Sequence, residues 1–305
     1  MAPKTRGEVA MKEDFLIRSL LIFPGHVGKF YHSALNSDAD AIAIDLEDAV
    51  PIEYKKEARD AVRERLDTVK SDKYVFVRLN SIDSGLMEED IESTIHKNLS
   101  GYILPMIKNE EDIMYIDKVV SKMEMDKGLK QGGVKFFPLI EQAEAVLNSI
   151  NIAKASKRNI GLIFGHEDFL LNMHAPQTDD KMNLFVARSI IAMAARGING
   201  TPIDAPFLNI SDVQGFSENV LISKSLGFSG ILVIHKDQVS LSNRDYMPSD
   251  YEVNEAKEIV KQVKLSKKEG RSISFVNGRF AGPPIVKSAQ KVLNTYNYFI
   301  DKDGI

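Results

Sequence analysis

Eight short apolar runs between Ser19 and His235 set the strongest constraint on what this chain can fold into. They are SLLIF (19–23), AIAIDL (41–46), YVFVRLN (74–80), GYILPMI (101–107), VKFFPLIE (134–141), NIGLIFG (159–165), TPIDAPF (201–207) and GILVIH (230–235). Each is short and rich in Ile, Val, Leu or Phe, as strands buried on both faces are. Segments of helical spacing lie between them. In EYKKEARDAVRERLDTV (53–69), Ala58, Val62 and Leu66 recur every four residues on one face. NEEDIMYIDKVVSKM (109–123) opens on acids, which suit the positive end of a helix. KMNLFVARSIIAMAARG (181–197) offers Gly197 as its C′ residue, and DVQGFSENVLISKSLGF (212–228) repeats the pattern.

Strands alternating with helices imply an α/β chain with parallel pairing. Eight is the number that closes a (β/α)8 barrel, and residues 18–245 match its usual size of roughly 250 residues. An open doubly wound sheet would bring a Gly-rich phosphate loop, and none is present. GHVGKF (25–30) has the wrong spacing and no Ser or Thr after Lys29. Residues 1–17 read as an N-terminal tail. Residues 246–305 break the rhythm and read as a C-terminal extension of helices and a hairpin. It has a helix over 249–270, a hairpin turn at Asn277–Gly278 and a last helix over 285–299. The extension is expected to pack on the barrel mouth or a neighbouring subunit.

Composition removes several function classes. The net charge of −4 is spread along all 305 residues, and no basic stripe suggests a nucleic-acid surface. The absence of cysteine excludes disulfides, thiolate nucleophiles and Cys-ligated zinc. No apolar run approaches the ~18 residues of a membrane span. The polar start, MAPKTRGEVAMKEDF, lacks a signal-peptide core, so a cytoplasmic location is expected.

Barrel active sites sit at the C-terminal ends of the strands. There the sequence gathers polar residues from several runs: Asp45, Glu47 and Asp48, then Arg78 and Asn80, Glu141, then His166, Glu167 and Asp168, Asp204, and His235. Period-two alternation puts Asp45 and Glu47 on one side and turns Asp48 away. Several carboxylates around one mouth are costly to ionise without a cation. A hard divalent ion on oxygen ligands answers that cost, and helix capping or ion pairing by Glu141 and Asp168 is the alternative. Arg78 is suited either to neutralising the acids or to gripping a substrate carboxylate as a fork. Arg18, before the first strand, lies at the opposite end.

The motifs RSLLIFPG (18–25), AIAIDLEDAVP (41–51), VFVRLN (75–80), FFPLIEQAEAVLN (136–148), GLIFGHEDFLLNM (161–173) and GFSGILVIHKDQVSLSN (227–243) occur in order. Together they resemble the citrate lyase β-subunit-like branch of the HpcH/HpaI aldolase superfamily, which includes malyl-CoA and citramalyl-CoA lyases. The resemblance implies a trimer or hexamer and Mg2+ held by Glu141 and Asp168. It implies that Arg78 binds the carboxylate of a 2-oxo acid, that Glu47 and Asp48 line the mouth, and that Arg18 with Pro24 and Gly25 helps bind substrate or CoA. The implied reaction is cleavage or condensation of a 3-hydroxyacyl-CoA. Met106 stands where relatives often carry Lys, and Lys236 where they carry Pro. Ala281 and Gly282 stand where the acyl-CoA lyases carry an Asp that enters a neighbour's site. Glu47 and Asp48 are then the nearest acid/base candidates. A 2-oxo-acid aldolase acting on non-CoA substrates and a catalytically reduced homologue that binds metal and oxo acid are the two competing readings.

Overall fold

A computed structural model describes residues 15–69, 73–178, 181–268, 275–276 and 279–304. The chain divides into two compact units, the first ending at Asn243 and the second beginning at Arg244.

Eight strands of the first unit close a parallel barrel in chain order. They are β1 (Ser19–Pro24), β2 (Ala41–Asp45), β3 (Tyr74–Arg78), β4 (Gly101–Leu104), β5 (Lys135–Ile140), β6 (Gly161–Phe164), β7 (Thr201–Asp204) and β8 (Gly230–Val233). β8 returns to β1 through Ser19 opposite Ile231, so no edge is left exposed. Each of the eight apolar runs carries one strand, with β1 reaching one residue past its run to Pro24. The interior is packed by Leu20, Ala41, Ala43, Phe76, Ile103, Phe137, Leu139, Ile163, Ile203 and Leu232. Small Ala41 and Ala43 leave room for Phe76 and Phe137, whose rings meet edge-on at 5.3 Å. The intervening residues Ile42, Ile44, Val75 and Val77 face the other way and are equally buried, because helices cover that side.

Helices Lys55–Thr68, Glu110–Asp126, Met182–Gly197 and Val213–Ser225 occupy the four segments of helical spacing. Gly197 is the last helical residue and not C′. The left-handed residue that ends this helix is Asn199, at φ 56°.

A buried ion pair closes the N-terminal end of the barrel. Arg18 holds Asp40 through Nε to Oδ2 and Nη2 to Oδ1, each at 2.9 Å, and its own N–H donates to Oδ2 at 2.8 Å. Ser242 donates to the Arg18 carbonyl at 2.7 Å.

The second unit pairs helix Asp250–Lys268 with helix Pro283–Asp303. β9 (Phe275–Val276) and β10 (Arg279–Phe280) form an antiparallel ladder. The Asn277–Gly278 turn and the expected helix end at Gly270 lie outside the described residues. The last helix starts two residues earlier than its spacing suggests, because Pro283 and Pro284 fit its first turn.

Candidate active site

Strand pairing places Asp45, the last residue of β2, beside Arg78, the last of β3. The Asp45 carboxylate takes the guanidinium as a fork, with Nε on Oδ1 and Nη2 on Oδ2, both at 2.7 Å. It also accepts the backbone N–H of Glu47 at 2.9 Å and of Ala49 at 3.0 Å. Burial alone would raise Asp45. Arg78 and the two N–H donors outweigh it and hold the carboxyl below its ordinary value. Burial likewise opposes the Arg78 charge, and Asp45 with its neighbouring acids more than restores it.

The third guanidinium nitrogen, Nη1, meets Glu47 Oε2 at 3.2 Å and Asp48 Oδ2 at 3.4 Å. Asp48 therefore does not turn away from Glu47. The strand ends at Asp45 and residues 47–50 form a turn, so period-two alternation no longer governs them. Glu47 is pushed up to about 9, chiefly by burial, with Asp48, Glu141 and Asp45 adding to it against the pull of Arg78. Arg78 is already matched by Asp45, so its pull on Glu47 falls short of the cost of burial.

Glu141 follows β5 directly and is buried. Its Oε1 accepts the Met106 N–H at 2.5 Å. Met106 is left-handed, at φ 53°, an uncommon conformation for a residue other than glycine. Burial pushes Glu141 up to about 7, and Asp168 and Asp48 contribute to the rise. Asp168 lies in the first turn of helix His166–Asn172 and is raised by burial and by Asp48. Gly165 makes space for Glu141: a Cβ there would stand 2.7 Å from Glu141 Oε2 and 2.9 Å from its Cβ.

Acids that raise one another form a donor set short of positive charge. Among the described residues no three or more His, Cys, Asp or Glu side chains form a metal cage. Glu141 and Asp168 nevertheless fit a hard ion that takes one or two carboxylates and fills its other positions with water and substrate.

Other expected residues divide by position. Pro24 pairs with Asp45 across the β1–β2 ladder, and the Gly25 N–H donates to the Asp45 carbonyl at 2.8 Å, so both border the mouth. Arg18 is at the far end of β1, engaged with Asp40, and is not brought to this group. His166 Nε2 lies 2.7 Å from Glu167, and burial lowers the imidazole below its ordinary value. Asp204 is buried against Arg188. His235 is partly exposed, with Asp237 3.4 Å away. A cavity of about 840 Å3 opens past β6 and β7, walled by His166, Glu167, Lys181, Arg188 and Phe207 among others.

Lys55 was not singled out by sequence reasoning. Its Nζ donates to the carbonyls of Leu46 at 2.6 Å and Glu47 at 2.7 Å, and to Asn80 Oδ1 at 2.6 Å. Its only sequence signal is a spacing of four from buried Arg59 on the same helix.

Residues 18–236, which carry all of these strands, match the family model described as HpcH/HpaI aldolase/citrate lyase. The chain belongs to that family. Its relatives include the citrate lyase subunit beta of Leuconostoc mesenteroides subsp. cremoris, 29% identical over 96% of this chain and 98% of that protein. Another is the L-malyl-CoA/beta-methylmalyl-CoA lyase of Rhodobacter capsulatus, 28% identical over 91% of this chain and 94% of that protein. The same fold occurs in Mycobacterium tuberculosis CitE, solved in complex with magnesium, acetoacetate and coenzyme A. It covers 92% of this chain and 97% of its own, with a TM-score of 0.75 and 22% identity. Within this family, the present chain keeps its polar cluster at the end of the barrel where (β/α)8 enzymes carry their chemistry.

Proposed function

We propose that the chain is a Mg2+-dependent carbon–carbon lyase. Its substrate is a 3-hydroxyacyl-CoA such as citramalyl-, malyl- or citryl-CoA, cleaved to a 2-oxo acid and an acyl thioester, or formed from them. The observation that carries this reading is the convergence of a locked guanidinium with Glu47, Asp48, Glu141 and Asp168 at one barrel mouth. The full-length citrate lyase and malyl-CoA lyase relatives support it, as does the neighbour bound to magnesium, acetoacetate and coenzyme A.

Glu141 and Asp168 would hold the Mg2+, which would supply Lewis acidity to the oxo-acid carbonyl when bound. Arg78 orients the oxo-acid carboxylate from its Nη1 side, since Asp45 fills the opposite edge of the fork. In cleavage, exposed Asp48 accepts the hydroxyl proton, and Glu47 hands a proton to the enolate carbon of the departing acyl thioester. Condensation reverses both transfers. Pro24 and Gly25 form the adjoining floor, and the cavity past β6 and β7 offers room for the rest of the ester.

The assembly is a homotrimer or hexamer in the cytoplasm on this reading. Helix Met182–Gly197 supports the assembly: its inner face is buried, while Met182, Phe185, Val186 and Met193 leave a second apolar stripe exposed. The absence of cysteine fits the location.

The test is incubation with Mg2+ and a panel of malyl-, citramalyl- and citryl-CoA. Release of glyoxylate, pyruvate or oxaloacetate from at least one is expected, and release from none contradicts the reading. One observation favours a second reading, a homologue that binds metal and oxo acid without turnover. Ala281 is buried, and a Cβ at Gly282 would stand 2.7 Å from the Phe280 ring, so this segment supplies no acid. Tight binding of Mg2+ and oxo acid with no release would establish it.

A further inference from the structure

Lys55 spends its ammonium on neutral acceptors. Its three hydrogen bonds go to two consecutive carbonyls of the turn after β2, at Leu46 and Glu47, and to the Asn80 side chain beyond β3. A half-buried ammonium is expected to seek a carboxylate partner, yet this one ties two strand exits together.

The far side of the tie is anchored as well. Asn80 gives its Nδ2 at 2.7 Å and its backbone N–H at 2.8 Å to Asp90 Oδ2. Asp90, fully buried on helix Met87–Thr94, is in turn bonded to Arg59 Nη1 at 3.1 Å. Arg59 lies one helical turn after Lys55, so one face of helix Lys55–Thr68 holds both ends of the network. Every link is a hydrogen bond to a group that is itself held, the condition under which a polar network fixes geometry.

We propose that Lys55 is a positioning residue for the lyase chemistry: it clamps the Glu47–Asp48 turn against the exit of β3 and so sets these acids relative to Arg78. This rests on the proposed function for its catalytic consequence, though not for the clamp itself. Glu47 and Asp48 touch Arg78 through side chains alone. The Lys55 bonds fix the backbone from which those side chains reach. A displacement of about 1 Å at such a site costs about 100-fold in rate.

The experiment compares Lys55→Met and Lys55→Gln with wild type and with Lys56→Met, whose exposed side chain pairs with Asp60 on its own helix. Amide hydrogen exchange at Glu47, Ala49 and Val50 is measured first, beside the melting temperature. Lys55→Met is expected to exchange at least ten-fold faster there, with Lys56→Met unchanged. Lys55→Gln, which keeps donors, is expected to lie between, and it reads the clamp if the methionine variant does not fold. On the CoA ester that wild type cleaves, kcat is expected to fall about 100-fold in Lys55→Met, with KM within about two-fold. Unchanged exchange in a folded variant overturns the clamp. Faster exchange with wild-type kcat overturns the catalytic positioning. A wild type inert on every ester refutes the lyase reading instead, and the exchange measurement still decides whether Lys55 clamps the turn.

Discussion

Arg78 carries more of the account than any other side chain, because its two edges have different partners. Asp45 occupies Nε and Nη2, while Nη1 faces Glu47 and Asp48. Lysine keeps the charge but cannot form that fork. Arg78→Lys should therefore lower kcat/KM about 100-fold, with the charge of the site conserved; wild-type kinetics from this variant would show that the fork is dispensable. For the metal pair, Glu141→Ala and Asp168→Ala should each abolish Mg2+ binding in calorimetric titration, and retained affinity in either refutes its assignment. Polar residues closing apolar runs are conspicuous, so the strand ends mark these acids and this arginine in the sequence. They did not show that Asp48 joins Glu47, because alternation stops where the chain turns. Lys55 leaves almost no trace, since its partners are backbone carbonyls nine and eight residues earlier and an asparagine beyond β3.

The elements were far more legible. Short runs of β-branched and aromatic residues, separated by segments with apolar positions every four residues, specify strand and helix through two incompatible periods. What the pattern could not locate is where each element stops. Gly197 is expected at C′, yet it is the last helical residue and the left-handed position falls on Asn199. Element ends also determine the site. Gly165 joins β6 to the helix carrying Asp168, and any Cβ there meets the Glu141 side chain. Gly165→Ala is expected to weaken Mg2+ binding by at least ten-fold while the protein remains folded, and calorimetry with unchanged affinity would contradict this. The opposite end of β1 should behave differently. Asp40→Ala removes the buried carboxylate that takes the Arg18 fork, which costs about 3–5 kcal/mol of stability. Chemical denaturation should show that loss while KM and kcat of the folded fraction stay at wild-type values. A raised KM would bring Arg18 back into the substrate site.

At the scale of the whole molecule, the closed parallel barrel makes both faces of every strand apolar and leaves the strand ends as the place for charge. That division is why fold and site region could be read together. It also makes stability respond to pH in opposing ways. Folded Glu47 and Glu141 keep their protons up to about 9 and about 7, against 4.5 for an ordinary glutamate. Their contribution is complete below pH 4.5 and is lost as pH rises through those values. Asp45 is held low, so its contribution is present above its ordinary range and disappears as pH falls. In chelator the melting temperature should thus decline from about pH 5 to pH 9, and Mg2+ should flatten the decline by favouring the ionised acids. A melting temperature that climbs over this range in chelator would contradict the electrostatics of the mouth. The most direct test of the central claim is the rate of 2-oxo-acid release from the preferred CoA ester as Mg2+ is titrated into chelator-treated enzyme. The account predicts no release without the ion and a saturable rise with it, displaced to higher Mg2+ in Asp168→Asn. Full-rate release in chelator would contradict it.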